Sequence, residues 1–271
     1  MSYRIVFEGT KGYQFTLVQK VIVAILVLAV VSVISLPSSV FAASNNSNAK
    51  NKKGEASLEL HSQSQDYVSI ADADQTGLDI TGDMTISLWV KPTTLAGNMT
   101  LISKWDHADK TSYLLFIENS NLGIALNSNP NGYGYKVFYA PYTAVANIWT
   151  NIAMVYTAAS GTVEFFVNGT STGKSSNFAM PTSIADTNAS FMIGTRENID
   201  TFYDGKIDDV RIWSRSLPTI QVSQLYLRPK KFDNSQLQGY WKFNGNANDE
   251  SDKMNNLVVT TGVLFSSDIT Y

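Results

Sequence analysis

The 271-residue chain is 44% hydrophobic and 16% charged, enough apolar material for a two-sheet core and too much for a disordered chain. Its net charge of −3, from 20 basic and 23 acidic residues, advertises no surface for nucleic acid. The absence of cysteine excludes disulfides and thiol catalysis.

In chain order, the first feature is an apolar run at residues 21–36, almost all Val, Ile, Leu and Ala, preceded by Lys20. It is shorter than the roughly 20 residues that a membrane-spanning helix needs. Val40 and Ala42 suit the −3 and −1 positions of a signal-peptidase site, so residues 1–42 read as an export signal cleaved before Ala43. An uncleaved signal anchor is the alternative, because twenty residues precede the run. The expected location is secreted or cell surface, with membrane contact only through this segment if it is retained. Residues 43–55 are polar and aperiodic, a linker.

Strands are expected next. Residues 57–60 read Ser-Leu-Glu-Leu and residues 67–70 Tyr-Val-Ser-Ile, followed by an acidic loop holding Asp72, Asp74 and Asp79. Ile86, Leu88 and Val90 alternate with Thr85, Ser87 and Trp89, the period of a half-buried strand. Further strands fall at residues 101–104, 113–117, 122–126, 137–139, 150–156, 163–167 and 191–193, and Asn168-Gly169 supplies the positive backbone angles of a tight hairpin. On the strand at residues 204–213, Val210 and Ile212 share a face. The only persuasive helix is at residues 218–226, with Pro218 in its first turn. Many short, evenly spaced strands separated by turns indicate an all-β, antiparallel two-sheet sandwich with one short helix.

Five segments taken together carry a family resemblance: residues 85–92, 101–113, 149–156, 163–169 and 204–217. In order and spacing they resemble the laminin G-like 3 family of concanavalin A-like jelly rolls, over roughly residues 57–227. The resemblance implies a jelly-roll fold and a binding or adhesion module rather than a catalyst. The opening aromatic and Asp-Ser-like loop of the family is missing here, and a similar string occurs late, around Gly239-Tyr-Trp-Lys-Phe243. The domain plan is therefore a signal or anchor at 1–42, a linker at 43–55, the jelly roll at 56–228, and a segment at 229–271 expected to supply closing strands to the same sandwich, the alternatives being the truncated start of a second repeat or a disordered tail.

Glycoside hydrolysis needs two paired carboxylates, often on one strand as Glu-x-Asp-x-x-Glu, and no such string exists. The only histidines are His61 and His107, too few for a zinc site or a Ser/His/Asp triad. A divergent hydrolase with acids drawn from distant segments is a third-ranked reading. Calcium is the more credible cofactor, since hard cations take carboxylate and carbonyl oxygens. Family likeness points to the regions around the first and last strands, and Asp66, Asp208 and Asp209 are the expected ligands. The competing reading is that Asp209 pairs with Arg211, two residues along.

A glycan platform needs aromatic faces beside hydrogen-bonding groups. Tyr133, Tyr135, Tyr142, Trp105 and Asn131 are the expected ligand-binding residues, with Tyr133 and Tyr135 as plausible in packing as in binding. The expected partner is an extracellular glycan or cell-wall polysaccharide. A tethered envelope protein that binds surface proteins is the alternative.

Overall fold

The computed structural model describes residues 55–106, 110–132, 134–142, 145–197 and 201–270. The segment expected to direct export, most of the linker, His107 and Tyr133 lie outside the described residues. Among these residues no helix is long and apolar enough to cross a membrane.

The strands are, in chain order, β1 (Ser57–Leu60), β2 (Val68–Ile70), β3 (Met84–Pro92), β4 (Asn98–Trp105), β5 (Thr111–Glu118), β6 (Asn121–Leu126) and β7 (Lys136–Pro141). There follow β8 (Thr150–Thr157), β9 (Thr162–Val167), β10 (Thr170–Lys174), β11 (Phe191–Ile193) and β12 (Gly205–Trp213). After the helix α1 (Thr219–Leu227) come β13 (Leu237–Trp241), β14 (Val258–Val259) and β15 (Leu264–Ser266). One sheet runs β10-β9-β8-β3-β12-β1-β15, with β13 also on β12, and the other runs β14-β2-β11-β4-β5-β6-β7. All pairings are antiparallel, and the two sheets make the expected sandwich.

Alternation places the core. Ile86, Leu88 and Val90 of β3, Ile152 and Met154 of β8, and Leu115 and Ile117 of β5 are fully buried in one cluster between the sheets. A second cluster covers the outer face of the first sheet, where Val222 and Leu225 of α1 pack on Ala153, Val155, Phe166 and Trp213. Fully burying such side chains contributes about 1.5–3 kcal/mol each.

A β-bulge on β12 rescues its pattern. Asp208 pairs with Trp89 and Arg211 with Ser87, so two residues of β12 oppose Leu88 alone. Asp209 takes the extra position with φ 49°. The bulge lets Ile207, Val210 and Ile212 all reach the core.

The segment after α1 joins both sheets. β13 lies beside the second half of β12, β1 beside the first half, β15 pairs with β1, and β14 pairs with β2. Trp241 is fully buried, stacks on Phe191 of the opposite sheet at 5.2 Å, and donates from Nε1 to the Asn255 carbonyl at 2.8 Å.

Candidate functional site

The outer face of the β4-β5-β6-β7 sheet carries a groove of about 260 Å³. Register builds it. Leu114 of β5 faces Ala125 of β6, which faces Val137 of β7, and Phe116 faces Gly123, which faces Tyr139. Small residues on the central strand thus sink the floor between larger neighbours. Gly123 lets the Phe116 ring lie over it, since an added Cβ would force that ring to shift.

Two aromatic pairs bound the floor. Phe116 and Tyr139 meet edge to face at 5.7 Å, and Trp105 and Tyr135 at 5.2 Å. Tyr135 and Tyr139 remain 46% and 45% exposed, whereas Trp105 is 5% exposed and packs with Leu114 and Ala125. The Tyr135 loop is pinned from below by buried Asn127, whose amide donates to the Asn129 and Gly132 carbonyls at 2.9 and 2.8 Å.

Polar groups stand at the rim. The Tyr139 hydroxyl donates to Glu118 Oε2 at 2.5 Å. That hydrogen bond, then burial and the Glu118 charge, push the phenol up to about 12. Thr100 and Thr201 share a 2.7 Å hydroxyl contact, and Asn98 and Arg196 complete the lining. Glu118 is the only carboxylate among the described residues that line the groove.

Of the expected ligand-binding residues, the structure brings Trp105 and Tyr135 together. Tyr142 is a correction: it is 3% exposed inside the main core, because the chain turns inward after Pro141, and it does not line the groove. Asn131 is exposed on the 127–132 turn, its backbone N–H donating to Asn129 Oδ1 at 3.1 Å, and does not line the groove. Phe116, Glu118 and Arg196 were not anticipated, and Tyr139, part of the aromatic stretch at residues 133–142, stood outside the expected set. The alternation of Phe138 and Tyr139 was the usable signal, since Phe138 turns inward onto Phe165 and Tyr139 outward.

The three expected metal ligands do not converge. Asp208 and Asp209 sit at the bulge, facing a second cavity of about 400 Å³ with Arg211, Tyr240 and Lys242. Asp209 is 2.9 Å from Arg211 Nη2, and the Arg211 guanidinium lies 4.2 Å from the Tyr240 ring centroid. The pairing reading of Asp209 and Arg211 therefore holds. Asp208 Oδ1 accepts from the Asp209 amide at 2.7 Å, and its Oδ2 from Thr270 at 3.3 Å. Burial, aided by the Asp209 charge, pushes the Asp208 carboxyl up to about 7.

Asp66 is elsewhere. The pairing of Leu58 with Ile207 and Leu60 with Gly205 sets Asp208 beside the start of β1, whereas Asp66 folds back on His61 after its end. At about 3.4 Å per residue the two places are some 10 Å or more apart along the strand. Asp66 Oδ2 accepts from the His61 amide at 3.0 Å, and Oδ1 is buried without a hydrogen-bond partner. No group of three acids or histidines among the described residues is placed to hold an ion. The residues present do not fit one calcium shared by Asp66, Asp208 and Asp209.

Comparison with known proteins agrees with this architecture. A family model, Laminin_G_3, described as belonging to the Concanavalin A-like lectin/glucanases superfamily, matches residues 62–223. A native heptameric SAP-like pentraxin from Limulus polyphemus is similar with a TM-score of 0.55 at 13% identity, over 79% of this chain and 95% of that one. A putative carbohydrate binding protein from Bacteroides ovatus is similar with a TM-score of 0.56 at 16% identity, over 78% of this chain and 59% of that one. At such identities the likeness to the solved structures is one of fold. With more than half of its length matched by the family model, the chain belongs to the laminin G-like 3 family of the concanavalin A-like lectin/glucanase superfamily.

Proposed function

We propose that the protein is an exported, non-catalytic binding module that holds a glycan, such as a cell-wall polysaccharide, in the groove over β4–β7. The observation that carries this reading is the pair of half-exposed rings, Tyr135 and Tyr139, above an apolar floor and beside Glu118, Asn98, Thr100 and Arg196. Sugar C–H faces stack on such rings while their hydroxyls need polar partners. The two tyrosines are four residues apart, about 13 Å at the strand rise, a span suited to a short run of linked sugars rather than one. Among the described lining residues there is a single carboxylate, in keeping with binding rather than hydrolysis, which takes two. The shared fold of the putative carbohydrate binding protein is in keeping with this reading, which rests on the groove itself.

The test is affinity electrophoresis and calorimetry against a panel of soluble polysaccharides, for the wild type and for Tyr135→Ala and Tyr139→Ala. Each substitution should weaken the best ligand by about tenfold, the magnitude of one lost aromatic contact. Binding that ignores both substitutions, or no binding across the panel, would move the function to protein partners.

A further inference from the structure

The opposite face of the sandwich carries a surface of different chemistry. An open groove of about 610 Å³ lies between Trp89, Tyr226 and the exposed run Leu227, Arg228, Lys230 and Lys231. The Trp89 and Tyr226 rings meet at 5.7 Å and form its floor. Leu227 is 70% exposed at the end of α1, whose buried residues Val222 and Leu225 fix it on the outer face of the first sheet. The following turn is held by the Pro229 carbonyl, which accepts from Arg211 Nη1 at 3.0 Å. The projecting leucine and its basic neighbours are thus presented on a rigid base.

We infer that this face docks onto an anionic lipid bilayer, with Leu227 entering the headgroup layer and Arg228, Lys230 and Lys231 meeting lipid phosphates. Charge complementarity is the first support. Three cations fall within four residues of a chain whose net charge is −3, and a basic cluster beside an exposed apolar side chain is the pattern of interfacial binding. The nearby acids offset this only in part: Glu55 lies 3.6 Å from Lys230, and Asp233 is 3.6 Å from Arg215. The second support is where the chain joins the sandwich. The Glu55 contact puts the start of the folded part at this same face, and Lys50, Lys52 and Lys53 immediately precede it in sequence, with the apolar run at residues 21–36 upstream. Docking here leaves the glycan groove, on the other sheet, turned away from the lipid.

Residues 51–271 contain every described strand and all three core clusters, so a protein of that span isolates the face from the apolar run. It is sedimented with vesicles of phosphatidylcholine alone or with about 30 mol% phosphatidylglycerol. Binding should require the anionic lipid and fall steeply as salt rises from about 0.1 to 1 M. Arg228→Gln with Lys231→Gln should weaken it by about thirtyfold, since each basic residue near such a surface contributes about fivefold. Leu227→Asp should weaken it by about tenfold or more, while Tyr139→Ala should leave it unchanged. All these side chains are exposed, and circular dichroism confirms folding of each variant. Indifference to lipid charge, or to the Leu227 and Arg228/Lys231 substitutions, overturns the inference. So does binding of soluble polyglutamate that depends on the basic residues without any anionic-vesicle binding, which would assign the face to an acidic protein partner.

Discussion

Lys104→Met is the substitution whose cost the structure specifies most fully. Lys104 is completely buried, and its ammonium group holds Asp72 Oδ1 at 2.5 Å, Asp79 Oδ1 at 2.8 Å, and the carbonyls of Thr187 and Ala189 at 2.8 Å each. One side chain thereby ties the acidic 72–79 loop and the 187–189 segment to β4. Methionine keeps the apolar stem and deletes the cation, leaving two carboxylates and two carbonyls around a thioether. Removing one partner of a buried ion pair costs about 3–5 kcal/mol. The Asp72 and Asp79 side chains are 28% and 32% exposed and regain water, so the lower end, about 3 kcal/mol, is expected. With a urea slope of about 3 kcal/mol per molar, the unfolding midpoint should fall by about 1 M. Lys104 also borders the irregularity that turns Trp105 onto the groove, so glycan affinity should fall with stability. The additional changes Asp72→Asn and Asp79→Asn should recover part of the loss, because neutral amides tolerate the missing cation. A midpoint drop smaller than about 0.3 M would refute the claim that this cluster is a principal tie of the fold.

Gly123→Ala should displace the Phe116 ring that lies over Gly123, filling the groove at a cost of about 1–3 kcal/mol of stability; unchanged glycan affinity would show that the groove floor is not where ligand lies. Asp208 has a folded pKa of about 7, above its ordinary 3.8, so its contribution is fully present below about pH 4 and is lost as pH rises through 7. Asp208→Asn should therefore stabilise the protein at pH 8 by up to about 4 kcal/mol and make little difference near pH 4; equal urea midpoints of the two proteins at pH 8 would contradict this. Because the expected acids do not converge, millimolar calcium against chelator should move the thermal midpoint by less than about 2 °C. A larger rise abolished by Asp66→Asn would assign an ion to the unpaired Asp66 oxygen.

Much of the architecture is legible along the chain. The alternation of Ile86, Leu88 and Val90 marks β3, Asn168-Gly169 marks the β9–β10 hairpin, and Pro218 marks the start of α1, because each depends on neighbours only a few residues away. The same reading places Trp105 and Tyr135 among the ligand-binding candidates but misplaces Tyr142. Phe116 was hidden because β5 is apolar on both faces, Leu114 and Phe116 outward, Leu115 and Ile117 inward, so alternation could not say which row meets solvent.

By itself, then, the sequence determined the all-β class, the positions of most strands, the helix near residues 218–226 and the lack of any disulfide. Only the tertiary structure decided that β14 and β15 join opposite sheets, that a bulge turns Asp208 and Asp209 away from the core, and that Asp66 lies apart from them. It also decided that Tyr135, Tyr139, Phe116 and Trp105 share one groove. The physical reason is range: strand period and turn chemistry are local, whereas the exposed face of a sheet is set by partners such as Ser57 and Ser266, which pair across nearly the whole folded chain.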